Sequence, residues 1–238
     1  MKKLIMIVMA LLCSCCVFAE DKLDFSLSAD YFSKDVWRGQ NVVDEPVFQP
    51  SIDIKYKKFT FTGWGNMDLT NVNDNKSNFT ELDFVIDYSG KVFDSSKLNY
   101  SIGLINYDFP NSECRNTSEL YVRLNLDTYF SPSLTLYRDV DEVNGTYISL
   151  GIGQDFKNFE SSLSLGWADS NYNKYYWGKD NSEFNDLTLS LSYPIELKDW
   201  TLSPSISYIA LIGDTRESTN YGNDSDFVVV GFGLSKSF

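Results

Sequence analysis

Histidine is absent from this chain of 238 residues. With it goes the usual general base for a serine or cysteine nucleophile, and the commonest transition-metal ligand. Cysteine is nearly absent as well. Of the four cysteines, Cys13, Cys15 and Cys16 crowd the N-terminus and Cys114 stands alone beyond it, which excludes an intramolecular disulfide and a cysteine metal site from the main body. Long apolar runs are missing too. The stretch Leu4 to Leu12 is too short to span a bilayer, and nothing else approaches the roughly 20 apolar residues of a transmembrane helix. Positive charge is in short supply, with 20 Lys and Arg against 33 Asp and Glu and a net charge of −13. Nucleic acid and anionic lipid headgroups are poor partners for such a chain. Pro-rich linkers, low-complexity blocks and internal repeats are also lacking, so a single domain is expected.

What is present begins with a leader. Lys2 and Lys3 precede the apolar run, which ends on Val17-Phe18-Ala19 before Glu20 and Asp21. This is the pattern of a secretory signal peptide over residues 1–19, cleaved after Ala19. Its removal takes two positive charges away, from −13 to −15. The alternative is lipidation at Cys15, because Leu12-Cys13-Ser14-Cys15 loosely resembles a lipobox.

Beyond the leader the hydrophobic period is two. Leu82, Phe84, Ile86 and Tyr88 alternate with Asp83, Val85 and Asp87, and Leu187, Leu189, Leu191 and Tyr193 alternate with Thr188, Ser190 and Ser192. Such strands have unlike faces. The pattern predicts twelve, near 25–33, 47–56, 59–68, 80–88, 98–107, 119–129, 133–138, 146–154, 159–168, 185–194, 200–210 and 227–238. Most are near the 9–11 residues that a tilted strand needs to cross hydrocarbon. Connections alternate between long polar loops and short turns, with Ser89 to Lys97 the longest exception among the turns. Aromatics make up 16% of the chain and gather at strand ends, as interfacial girdles require. The expected fold is therefore all-β: a transmembrane antiparallel β-barrel over residues 20–238, in the bacterial outer membrane, with both termini in the periplasm. Leu82, Phe84, Ile86, Leu120, Leu124, Leu187, Leu189 and Phe232 should face lipid.

Two segments carry resemblances. Counting back by twos from Phe238 gives Lys236, Leu234, Phe232, Val230 and Val228. This resembles the C-terminal signature by which outer-membrane barrels are read by the barrel-assembly machinery, with Phe232, Leu234 and Phe238 as the signal and Lys236 as a departure that can snorkel. Near the other end, Ser33-Lys34-Asp35-Val36-Trp37-Arg38-Gly39-Gln40, then Pro46 to Ser51, Tyr56-Lys57 and Trp64-Gly65-Asn66 resemble the proteobacterial family called Gcw_chp, or TorF-type porins. Asp35 departs from the aromatic residue commoner at its place. The resemblance implies an outer-membrane barrel of porin type and no particular substrate. Physically, Trp37, Arg38 and Gly39 form a first external loop in which the arginine can stack or clamp a carboxylate. Packing of that loop into the barrel mouth is the expected arrangement.

The phase opposite the apolar one should line the interior. Asp53, Lys55, Glu81, Asp83, Asp87, Arg123 and Asp127 supply its charges, while glycines and serines toward the C-terminus form a smoother wall. Asp83, Asp87 and Asp127 fit a charged wall better than a hydrolytic carboxylate pair, and outer-membrane proteases, phospholipases and lipid A deacylases rely on the histidine missing here. No catalysis and no cofactor are expected. Two functions follow: a narrow, weakly cation-preferring channel for small polar solutes, or a non-conducting barrel serving as surface receptor, adhesin or scaffold. One outcome is common to both. Deleting Phe238 should leave exported protein that neither inserts into the membrane nor shows heat-modifiable migration on a gel, because the last strand must both carry the signal and close the sheet.

Overall fold

The computed structural model describes residues 23–238. The expected signal peptide, its cleavage after Ala19 and the alternative at Cys15 lie outside the described residues. Fifteen strands follow: β1 Asp24–Phe32, β2 Asp35–Trp37, β3 Gln40–Val43, β4 Val47–Tyr56, β5 Phe59–Asp68, β6 Phe79–Lys91, β7 Leu98–Asp108, β8 Thr117–Leu126, β9 Ser133–Asp139, β10 Thr146–Phe156, β11 Phe159–Ala168, β12 Glu183–Ser192, β13 Ile195–Leu197, β14 Trp200–Leu211 and β15 Asp226–Ser237. Among the described residues one α-helix, α1, spans Ser170–Trp177 between β11 and β12, and a 3-10 turn spans Gly213–Glu217.

Twelve of the strands pair antiparallel with their sequence neighbours from β4 to β12, then through β14 and β15 to β1 and back to β4. The sheet closes on itself through Ser26 opposite Ser237 and Phe32 opposite Gly231. Closure removes both edges, which is the condition for a sheet to sit in lipid. All twelve expected strands are present within a few residues of their expected bounds. Two differences have clear causes. β6 continues through Ser89, Gly90 and Lys91, paired with Ser101, Tyr100 and Asn99 in turn, so the long turn at 89–97 shrinks to 92–97. β8 stops at Leu126, where the Asp127 amide instead donates to the Lys97 carbonyl, and Asp127 lies in the following turn.

Long loops at 33–46, 69–78, 109–116, 140–145, 169–182 and 212–225 gather at one end, and short turns at 57–58, 92–97, 127–132, 157–158 and 193–199 at the other. By the rule for these barrels the first end is external and the second periplasmic. The outer surface is apolar. Phe84, Ile86, Leu120, Leu124, Leu189 and Phe232 are exposed there, with Leu82 and Leu187 less so. Aromatic rings mark the periplasmic border, where Phe59 packs on Tyr88 at 5.0 Å and Phe159 on Tyr193 at 4.9 Å. This is the fold of a bacterial outer-membrane barrel.

Ile152 sits near the middle of β10 and is 45% exposed on the outer face. Replacing it with arginine should therefore cost about 2–4 kcal/mol, the usual penalty for a cation at the bilayer midplane. Equilibrium unfolding in lipid vesicles measures this directly.

Candidate functional site in the lumen

The first external loop does not stay outside. β2 and β3 form a hairpin, with Trp37 paired to Gln40 and with Arg38 and Gly39 between them at φ of 50° and 81°. Positive φ at both central residues is what a two-residue hairpin turn of the primed type requires. A Cβ at Gly39 would lie 2.6 Å from Leu211 Cδ2 and 3.1 Å from Asp186 Cβ, so the turn abuts the barrel wall and only glycine fits.

That contact delivers Arg38 into the lumen. Its guanidinium donates in parallel to Glu119 of β8, with Nη1 to Oε1 at 2.9 Å and Nη2 to Oε2 at 2.7 Å. The rings of Trp37, Tyr137 and Tyr147 lie 4.3, 4.3 and 4.4 Å from its central carbon. Tyr107 also donates to Glu119, at 2.9 Å. Burial opposes the charge on Arg38, but Glu119 with the Tyr172 and Tyr107 hydroxyls together outweigh it and hold the guanidinium well above its ordinary value. The side chains of Arg38 and Glu119 are only 9% and 4% exposed. Arg38 is thus a structural clamp on the loop.

Further groups close the external half of the lumen around this pair. Gln40 donates to the Tyr172 hydroxyl at 3.0 Å, and Tyr147 donates to Asp186 at 2.9 Å. α1 brings Tyr172 and Trp177 inward; it is capped by Asp169, which accepts from the Tyr172 amide, and ends on Gly178 in the left-handed conformation. Trp177 packs with Ile209, Leu211, Phe227 and Val229. These four wall residues occupy the inward phase of β14 and β15, where small polar groups were expected. The smoother wall is also less open than anticipated, because Gly231 is covered by the Phe32 ring and Gly233 by the Asp30 carboxylate.

The remaining expected residues divide by depth. Glu81 and Asp83 of β6 lie near Asp35 of the folded-in loop, close enough for their charges to interact. Burial pushes Asp35 up to about 6, against a hydrogen bond from Gln49, and Asp68 adds to the rise. Asp53 accepts from Ser26 and Thr62 rather than balancing Lys55. Asp87 accepts from the Tyr121 hydroxyl, and Arg123 donates to Thr135 at 3.1 Å. Asp127 is exposed in its turn beyond β8 and does not share the wall with Asp83 and Asp87. Lys55 and Arg123 border a cavity of about 320 Å³ at the periplasmic end.

Sequence reasoning missed Glu119, Tyr107, Tyr147 and Asp186 as partners of the loop. Glu119 lies four residues before Arg123 in the same inward phase, which was the available signal.

No family model and no curated protein matches the chain. Solved structures do resemble it. A KdgM porin aligns with 14% identity and a TM-score of 0.57, over 90% of this chain and 99% of that one, and another KdgM porin structure is a complex with disordered oligogalacturonate. A NanC porin aligns with 13% identity and a TM-score of 0.57, over 89% and 98%. Outer membrane phospholipase A from Escherichia coli aligns with 15% identity and a TM-score of 0.51, over 90% of each chain. What these likenesses establish is the barrel fold.

Removing either partner of the clamp would strand a buried charge. Arg38→Ala or Glu119→Ala should each destabilise the barrel by about 3–5 kcal/mol, whereas the apolar double variant Arg38→Met with Glu119→Leu should recover most of the loss. Denaturant unfolding of the refolded protein in lipid checks both expectations.

Proposed function

We propose that this chain is a narrow outer-membrane channel for passive diffusion of small polar solutes, weakly preferring cations. The observation that carries the reading is a closed twelve-strand barrel whose inner wall is polar and carries a surplus of carboxylates, from Asp53, Glu81, Asp83 and Asp87. Twelve strands lie between the eight that side chains can fill and the 16 or more that leave a wide pore, so a narrow passage is the physical expectation. Its tightest zone is the external half, where the first loop is packed. Carboxylates in and beside a constriction favour cations, because a narrow low-dielectric passage strengthens their field.

The structural likeness to proteins named as porins supports the same reading, as does the resemblance of residues 33–66 to the Gcw_chp or TorF-type family. Partners in this view are outer-membrane lipids, the barrel-assembly machinery and the solute. The absence of histidine argues against an enzyme. A second reading draws on a specific observation, the Arg38–Glu119 bridge with its aromatic cage, which fits a plugged barrel whose loops act as receptor, adhesin or scaffold.

Planar bilayers separate the two. The wild type should give discrete conductance steps and a reversal potential of cation-selective sign in a KCl gradient, shrinking as salt rises. Neutralising Asp83→Asn together with Asp87→Asn should reduce that potential while heat-modifiable folding is kept. An unchanged potential in the double variant would remove these residues from the path, and an electrically silent wild type would favour the plugged barrel.

A further inference from the structure

At the periplasmic end of the lumen the sign of the wall reverses. The cavity of about 320 Å³ there is lined by Lys55, Lys57, Lys58, Lys91 and Arg123, and among the described residues no aspartate or glutamate borders it. In a chain with 33 acidic and 20 basic residues, such a concentration runs against the overall balance. The strand register explains how it arises. Lys55 ends the inward phase of β4, Lys57 and Lys58 form the turn to β5, Lys91 extends β6 opposite Asn99, and Arg123 of β8 faces Ser101 of β7. Basic groups distant in sequence thereby meet on one arc from β4 to β8.

The cations are available to a ligand. Among the described residues, Lys34, Arg38, Arg115, Arg138, Lys174, Lys179, Arg216 and Lys236 form ion pairs, whereas Lys55, Lys58, Lys91 and Arg123 form none. Lys58 turns the other way, its Nζ beside Gly90 and 5.9 Å from the centroid of the Tyr88 ring on the outward phase of β6. Arg123 uses its Nε on Thr135, leaving the two terminal nitrogens of the guanidinium for a carboxylate. Asn99, Ser101 and Asn125 add neutral hydrogen-bonding groups to the lining.

We propose that this vestibule is a binding site for small polycarboxylate anions, held by Lys55, Lys91 and Arg123. Like charges gathered around one cavity repel each other, and one ligand carrying several carboxylates relieves that repulsion at several points, which a monovalent anion cannot do. The planar guanidinium suits a bidentate carboxylate, and the volume is that of a small-molecule site. Lys55 and Arg123 lie on the inward phase, away from lipid, so the ligand comes from solution. Binding at this site does not depend on whether the barrel conducts.

The test is equilibrium binding of citrate to the full barrel in zwitterionic detergent at low ionic strength, followed by calorimetry. Saturable binding near one citrate per barrel is expected, weakening steeply with added NaCl. The variant Lys55→Gln with Lys91→Gln should lose affinity by about tenfold or more, having lost two charge-assisted contacts. The control Lys174→Gln with Lys179→Gln, at the external end, should bind as the wild type does. Heat-modifiable migration of each variant reports that it has folded. Absence of saturable citrate binding at low salt, equal affinity in the vestibule variant, or an equal loss in the external control would overturn the proposal.

Discussion

Inside hydrocarbon no backbone N–H or C=O can be left without a partner, and the molecule is organised around that requirement. A sheet meets it only by closing, which here depends on β1 pairing with β15 on one side and β4 on the other. The last bond of this seam runs from the Phe238 amide to the Phe25 carbonyl at 2.8 Å. Once the ladder is closed, alternate side chains must go to lipid and to the lumen. The apolar outer surface and polar inner wall are therefore two consequences of one hydrogen-bonding constraint, and the inner wall is left to carry whatever chemistry the protein has.

A closed barrel of this size leaves internal space, and the external half is filled by loop rather than by wall. The first hairpin enters with Arg38 at positive φ, a conformation that costs a non-glycine residue about 1–3 kcal/mol. The bidentate bond to Glu119 and the rings of Trp37, Tyr137 and Tyr147 offset it. A buried ion pair contributes little net stability because desolvation cancels much of the attraction. Its effect is positional: the loop has one seat in which the charge is satisfied, and Gly39 allows the backbone to reach it.

Strands, loops and lipid-facing residues were legible in the sequence because each follows from local alternation and turn chemistry. The shared phase of Asp53, Glu81, Asp83, Asp87 and Arg123, opposite to that of the lipid-facing residues, follows from the same alternation. Partnerships were not legible. Arg38 meets Glu119 across 81 positions of sequence, and only closure brings them together. Asp127 was misplaced because the alternation of β8 runs on smoothly into its turn, where hydrogen bonding rather than pattern ends the strand. α1 escaped notice because eight residues, four of them aromatic, are too few for a helical period to stand out, although Asp169 and Gly178 are recognisable caps. Ile209, Leu211, Phe227 and Val229 were hidden by a different effect. Alternation distinguishes faces only when they differ, and in the external half of β14 and β15 both faces are apolar, one against lipid and one against α1.

The same arc of wall, from β4 to β8, carries charge of both signs, separated along the barrel axis. Glu81 and Asp83 approach Asp35 in the external half, and Lys55, Lys91 and Arg123 stand at the periplasmic end. Between them Asp87 is engaged by the Tyr121 hydroxyl. A net charge of −13 is consequently a poor guide to the field inside the lumen. Exposed charges on loops and turns are screened within about 8–10 Å by salt, while those lining a confined lumen are screened much less. The local order of acidic and basic groups along the wall, set by which strand ends the register aligns, governs the internal field more than the total does.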